Sequence, residues 1–148
     1  MEYSETTKKF LLQAGWFPER KIDISSYEQL LYSKGYELND IVKEFLSEFG
    51  ELKISFPNHV NSSMTDDIVF HTIEAIIGIF HEKVEIYQER VGEKLVTIGE
   101  AYNGNMVVLM SLSGKFYGAY DDLVVYYGEN RYEALEAICE WKDTPEIK

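Results

Sequence analysis

Apolar residues recur at helical spacing three times in the first fifty positions. Phe10, Leu11 and Ala14 share one face of a helix expected over residues 5–14, with Ser4 placed to cap it. Tyr27, Leu30 and Leu31 mark a second helix, capped by Ser25 or Ser26 and stopped at Gly35. Val42, Phe45, Leu46 and Phe49 mark a third, opened by Asn39 and closed by Gly50. The pattern then shortens. "LKISF" (52–56) reads as a strand ended by Pro57, "NHVNSSMTDD" as a polar loop, and "IVFH" (68–71) as a short strand. "TIEAIIGIF" suits helix or strand equally. A further helix is expected from about 81 to 92, with Phe80, Val84, Tyr87 and Val91 on its inward face.

Beyond Gly92 the period changes to that of strands. "KLVTIGEAY" meets Asn103-Gly104, a strong hairpin signal, and "MVVLMSL" follows. Ser113-Gly114 turns the chain into "KFYGAY", and Asp121-Asp122 turns it into "LVVYYG". These are four antiparallel strands in order. A last helix over about 131–141 points Ala134, Leu135 and Ile138 inward. No repeat, linker or low-complexity tract interrupts the chain, so residues 1–148 are expected to form a single domain. The expected fold class is α+β, with an antiparallel sheet of about six strands. Helices flank that sheet, a four-stranded meander occupies its C-terminal part, and the terminal helix closes it.

Connections between these elements carry unusual residues. In "QAGWFPERKID" (13–23) Gly15 suits the left-handed close of a helix, and Pro18 prevents its continuation. Trp16 and Phe17 are therefore expected to plug the core from a loop.

Charge sharpens this picture. The formal net charge is −12, and it is uneven: −3 over residues 1–60 and −9 over residues 61–148. Such a chain is repelled by nucleic acid and by anionic membranes, so neither is an expected partner. The first residues lack a basic stretch followed by an apolar one, no apolar run reaches membrane-spanning length, and Cys139 has no disulfide partner within the chain. A cytoplasmic location is expected.

Candidate chemistry is sparse. His59, His71, His81 and Cys139 fit no zinc spacing, no Ser sits in a G-x-S-x-G elbow, and the scattered glycines make no phosphate loop. Cys139, beside Leu135 and Ile138, reads as a small core hydrophobe. Asp121 and Asp122 lie in a solvated two-residue turn, a poor setting for an acid–base pair. No catalytic residue, metal or cofactor is expected.

Two acidic rows remain. Glu82, Glu85, Glu89 and Glu93 share one face of the 81–92 helix. Glu129, Glu133, Glu136 and Glu140 form a second row along the terminal helix. Like charges four apart cost about 0.2–0.5 kcal/mol per pair, whereas mixed signs would solvate a helix equally well. Each row either keeps the protein soluble or offers a basic partner an acidic face. Charge is densest on the terminal helix and the nearby turn. The expected partner contacts are therefore Asp121, Asp122, Glu129, Glu133, Glu136 and Glu140.

The opening stretch, "KGYELND" (34–40), "LVTIGEAY" (95–102), "SGKFYG" (113–118) and "YEALEAI" (132–138) resemble, in this order, the third subgroup of the SUKH superfamily of immunity proteins. Gly15, Trp16, Pro18, Arg20 and Lys21 match its Gly-Trp, Pro and basic positions, and Ile98-Gly99-Glu100 match its "IGE" strand. The ending "WKDTPEIK" departs from the Gly-rich ending common in the family. The resemblance implies an α+β fold and a binding protein rather than an enzyme. It implies an antitoxin that neutralises a cognate toxin, commonly a nuclease, whose basic groove would suit an acidic inhibitor. The alternative is an interaction module of the same fold with a non-toxin partner. Trp16 and Tyr36 are then core plugs, and Gly99 and Gly118 are points of close approach in the sheet.

Overall fold

A computed structural model describes residues 1–148. Three helices come first: α1 (Glu5–Gln13), α2 (Ser25–Ser33) and α3 (Asp40–Phe49). The hairpin β1 (Lys53–Pro57) and β2 (Thr65–Val69) follows, then α4 (Thr72–Ile77) and α5 (His81–Val91). Next comes the meander β3 (Leu95–Ala101), β4 (Met106–Ser111), β5 (Phe116–Tyr120) and β6 (Leu123–Gly128), and α6 (Arg131–Cys139) ends the series. The six strands form one antiparallel sheet in the order β1-β2-β3-β4-β5-β6. The predicted α+β class, the meander and the closing helix are all present. No helix is long and apolar enough to cross a membrane.

The helix starts follow local chemistry. Ser4 and Asn39 accept the backbone N–H of Thr7 and Val42, as cap residues do. The second helix differs from expectation. Ser25 is already helical, and the Asp23 carboxylate takes both its N–H (2.9 Å) and its hydroxyl (2.5 Å). At the end of α3 the left-handed residue is Glu51 (φ 72°), not Gly50. Gly50 is needed for room, since a Cβ there would lie 2.5 Å from the Leu46 carbonyl oxygen.

Two further boundaries are corrected. β2 begins at Thr65, inside the stretch that reads as polar loop. Its polar residues are satisfied in place: Asp66 accepts from Asn58 Nδ2 (2.8 Å), and Asp67 accepts the Asn103 N–H (3.1 Å). The ambiguous 72–80 stretch is a short helix followed by a bend, and Phe80, expected to face inward, is exposed.

Layering follows from strand alternation. Gly118 and Ala119 are neighbours on β5, so they address opposite faces. Over Gly118 lies the Tyr127 ring, 2.5 Å from where a Cβ would stand; Gly99 likewise admits the Val69 carbonyl at 2.3 Å. On that side α6 closes the sheet, with Trp141 stacked on Tyr102 (5.5 Å) and its Nε1 donating to the Pro57 carbonyl (2.8 Å). Tyr87 of α5 lies on the other side, beside Ala119 and Val107. A cluster of 34 buried apolar residues joins the layers. Cys139 is among them, and burial pushes its thiol up to about 12.

The "GWFPER" stretch acts as a clamp on α3. Trp16 is buried and its Nε1 donates to Glu48 (2.8 Å), while Arg20 grips the carbonyls of Glu48 (2.5 Å) and Gly50 (2.9 Å). Arg131, at the start of α6, binds the other Glu48 oxygen. One carboxylate thus joins the loop, α3 and α6. Phe17 takes no part: contrary to expectation it is 55% exposed. Tyr36 is buried and shares a hydrogen bond with Thr97 Oγ1 (2.7 Å).

Candidate partner-docking surface

The acidic row of α6 is largely committed to holding the fold. Glu140 Oε2 accepts the Ser4 hydroxyl and the Thr7 hydroxyl (2.7 Å), so the carboxylate sits against the first turn of α1. Negative charge is favourable there because the first N–H groups of a helix are unpaired. Glu140, expected among the partner contacts, is thus turned toward α1. At the other end, Glu129 accepts the Tyr126 hydroxyl (2.5 Å). Burial and the nearby Glu129 hold that phenol well above its usual range. Glu133 donates its N–H to the capping Asn130 (3.0 Å), and its carboxylate reaches back past the cap to the Glu129 N–H (3.4 Å). Glu136 lies 4.0 Å from Lys142.

Asp121 and Asp122 are placed with α5. Their backbone carbonyls accept Tyr87 Oη (2.7 Å) and Arg90 (2.5 Å), and Lys83 Nζ lies 3.9 Å from Asp122. The whole of β6 separates this turn from Glu129, about 20 Å at ~3.3 Å per residue. The six expected contact residues thus divide between the two sides of the sheet.

The α5 row has different surroundings. Glu82, Glu85 and Glu89 are exposed, and only Glu85 has an ion-pair partner, His81 at 3.6 Å. Glu93 turns away from them: it takes the Ser113 hydroxyl (2.5 Å) and the Tyr117 hydroxyl (3.4 Å). Tyr117 is pushed up to about 12 by burial and by Glu93. At the start of this row, the bend between α4 and α5 turns Ile77 (81% exposed) and Phe80 (83%) outward, with Ile86 (52%) on the helix itself. A groove of about 670 Å³ runs from Leu30 and Tyr36 past Ile73 to Phe80. Exposed large apolar side chains bordered by the carboxylates of α5, with Lys34 on the far wall of the groove, match the plan of an interface, an apolar centre within a charged rim.

Sequence reasoning missed Ile77, Phe80 and Ile86. Phe80 fits the inward stripe by count, but it precedes the first helical turn, where the backbone is extended (φ −77°, ψ 147°) and the count does not apply. Ile86 carried a readable signal. It stands four residues after Glu82 and three before Glu89, which already places an apolar residue within the acidic face. The three histidines serve separate contacts: His59 lies against Trp141, His71 pairs with Glu51 (3.0 Å), and His81 meets the edge of Tyr36 as well as Glu85.

The SUKH-3 immunity protein family matches residues 3–141 of the chain. No curated protein and no solved structure matches it.

Proposed function

The chain belongs to the SUKH-3 immunity protein family, and we propose that it protects the cytoplasm of the producing cell by binding a cognate toxin. We take the toxin to carry a basic nuclease domain. Neutralisation is by occlusion, with no chemistry performed by this chain. The contact surface is the α4–α5 bend, the free face of α5 and the Asp121–Asp122 turn. One observation carries this choice: Ile77 and Phe80 are held in water next to Glu82, at the start of the exposed row that Glu85 and Glu89 continue along α5. Exposed aromatics of this type become the energetic centre of an interface, while surrounding carboxylates steer a basic partner and raise its on-rate.

Co-expression with the toxin encoded beside it tests the reading, scored by survival and by pull-down. The wild type should rescue growth and co-purify with the toxin. Reversal of Glu82, Glu85 and Glu89 to Lys should slow association and abolish its salt dependence while the melting temperature holds. Survival at the wild-type level with that triple variant, and with Phe80→Ser, would overturn the assignment of this face. Reversal of Glu129, Glu133 and Glu136 provides the comparison on the α6 side.

A further inference from the structure

Glu100 stands apart from the other carboxylates near the docking face. It lies on β3, opposite Val107 of β4, and Val107 in turn lies opposite Ala119 of β5. Its side chain therefore points to the α5 side of the sheet, into a cavity of about 270 Å³ walled by Tyr87, Tyr120, Val107 and Ala119. The carboxylate is uncovered from above because two glycines flank it. A Cβ at Gly78 or Gly104 would stand 3.7 or 3.6 Å from Glu100 Oε2. No protein donor or cation reaches this carboxylate. Lys83, on the same wall, is engaged by Asp122 (3.9 Å) and lies over the Tyr87 ring (5.4 Å). Burial, reinforced by Glu74, holds the Glu100 carboxyl above its usual range, as an unpaired acid in a sheltered site must be.

We propose that this cavity is a receptor for one arginine side chain of the bound toxin, with Glu100 as the carboxylate that takes its guanidinium. The choice of occupant rests on the docking role proposed above; the site itself rests on geometry. The volume falls below the roughly 300–1,000 Å³ of cofactor and small-molecule pockets. It suits a single side chain entering from a docked protein. Guanidinium is the cation that pairs with a carboxylate through two parallel hydrogen bonds, and its flat face packs on tyrosine rings such as Tyr87 and Tyr120. The cavity opens beside Asp121 and Lys83, and so adjoins the α5 docking face.

The site is tested without the toxin by following the Glu100 side-chain carboxyl by NMR during titration with N-acetylarginine methylamide. The uncharged isostere N-acetylcitrulline methylamide serves as control. The Glu100 signal should move with the arginine compound and its carboxyl pKa should fall, and Glu100→Gln should remove the response of the surrounding residues. No movement, or equal movement with citrulline, overturns the proposal whether or not a toxin is known. In the complex, Glu100→Gln should speed toxin dissociation by at least about tenfold with little change in association. Gly78→Leu, which narrows the mouth and keeps the charge, should do the same. Wild-type dissociation of both variants, with binding still lost on Phe80→Ser, would discard the arginine receptor and leave the docking face standing. Wild-type binding by all three would discard both.

Discussion

Helices α5 and α6 carry the same acidic periodicity and use it in opposite ways. On α6 each glutamate has a partner within the chain, and Glu140 reaches a helix start 136 residues away in sequence. On α5, Glu82 and Glu89 have none, and their neighbours are apolar side chains in water. A carboxylate that accepts hydroxyl protons at a helix N-terminus contributes to folding. A carboxylate beside an exposed phenylalanine contributes nothing to the isolated fold and gains a role only when another molecule arrives. Charge spacing alone does not separate the two cases; the neighbours do.

The sharpest break between the two helices comes from removing α6. A chain ending at Tyr127 loses the burial of Leu135 and Ile138 and the Trp141 contacts. Each buried apolar side chain is worth about 1.5–3 kcal/mol against a total of about 5–15 kcal/mol. Urea titration followed by circular dichroism should show no cooperative transition; a wild-type midpoint would mean that α6 is dispensable.

A single carboxylate on each helix sharpens the contrast. Glu140→Ala leaves the Ser4 and Thr7 hydroxyls without their shared acceptor. It should cost about 1.5–3 kcal/mol, the range for hydrogen bonds to a charged group. Glu89→Ala, on the exposed face, should stay within about 0.5 kcal/mol of wild type. Equal losses by chemical denaturation would erase the distinction.

Phe80→Ala separates binding from folding. The ring buries almost nothing in the isolated chain, so stability should hold within about 0.5 kcal/mol. Toxin affinity should fall by about 2 kcal/mol or more if the ring anchors the interface. Calorimetric melting and surface-based kinetics on the same preparation give both numbers. Unchanged affinity at unchanged stability, or an affinity loss that only follows a loss of the fold, would reverse the assignment.

The smallest effect concerns pH. The Glu100 carboxyl is raised in the folded state by burial and by Glu74. Its contribution to stability is therefore full below the unfolded value of about 4.3 and is lost as pH rises through the folded value. Glu100→Gln should match wild type near pH 4 and become the more stable of the two at neutral pH. Denaturation midpoints at both pH values check the sign; a variant less stable than wild type at neutral pH would show that the carboxylate has a partner after all.

Much of the fold was legible because its signals are local. Ser4 and Asn39 cap the N–H three residues on, and the sheet turns fall at Asn103-Gly104, Ser113-Gly114 and Asp121-Asp122. Less of the candidate surface was legible. The sequence placed Trp16 and Phe17 together as plugs, yet only Trp16 has a recipient, Glu48, for its indole N–H. Asp66 and Asp67 read as loop residues, but a strand whose polar side chains meet Asn58 and the 103 turn needs little apolar content.

By itself the sequence determined five of the six helices, the meander, the negative charge and the two acidic rows, since each arises from residues within a few positions of one another. Only the tertiary structure decided which row remains free. That outcome depends on packing α1 against the end of α6, docking the Asp121–Asp122 turn on α5, and bending the chain at residues 78–80 so that Phe80 leaves the core. These contacts join residues tens of positions apart, and a short-period pattern carries no information at that separation.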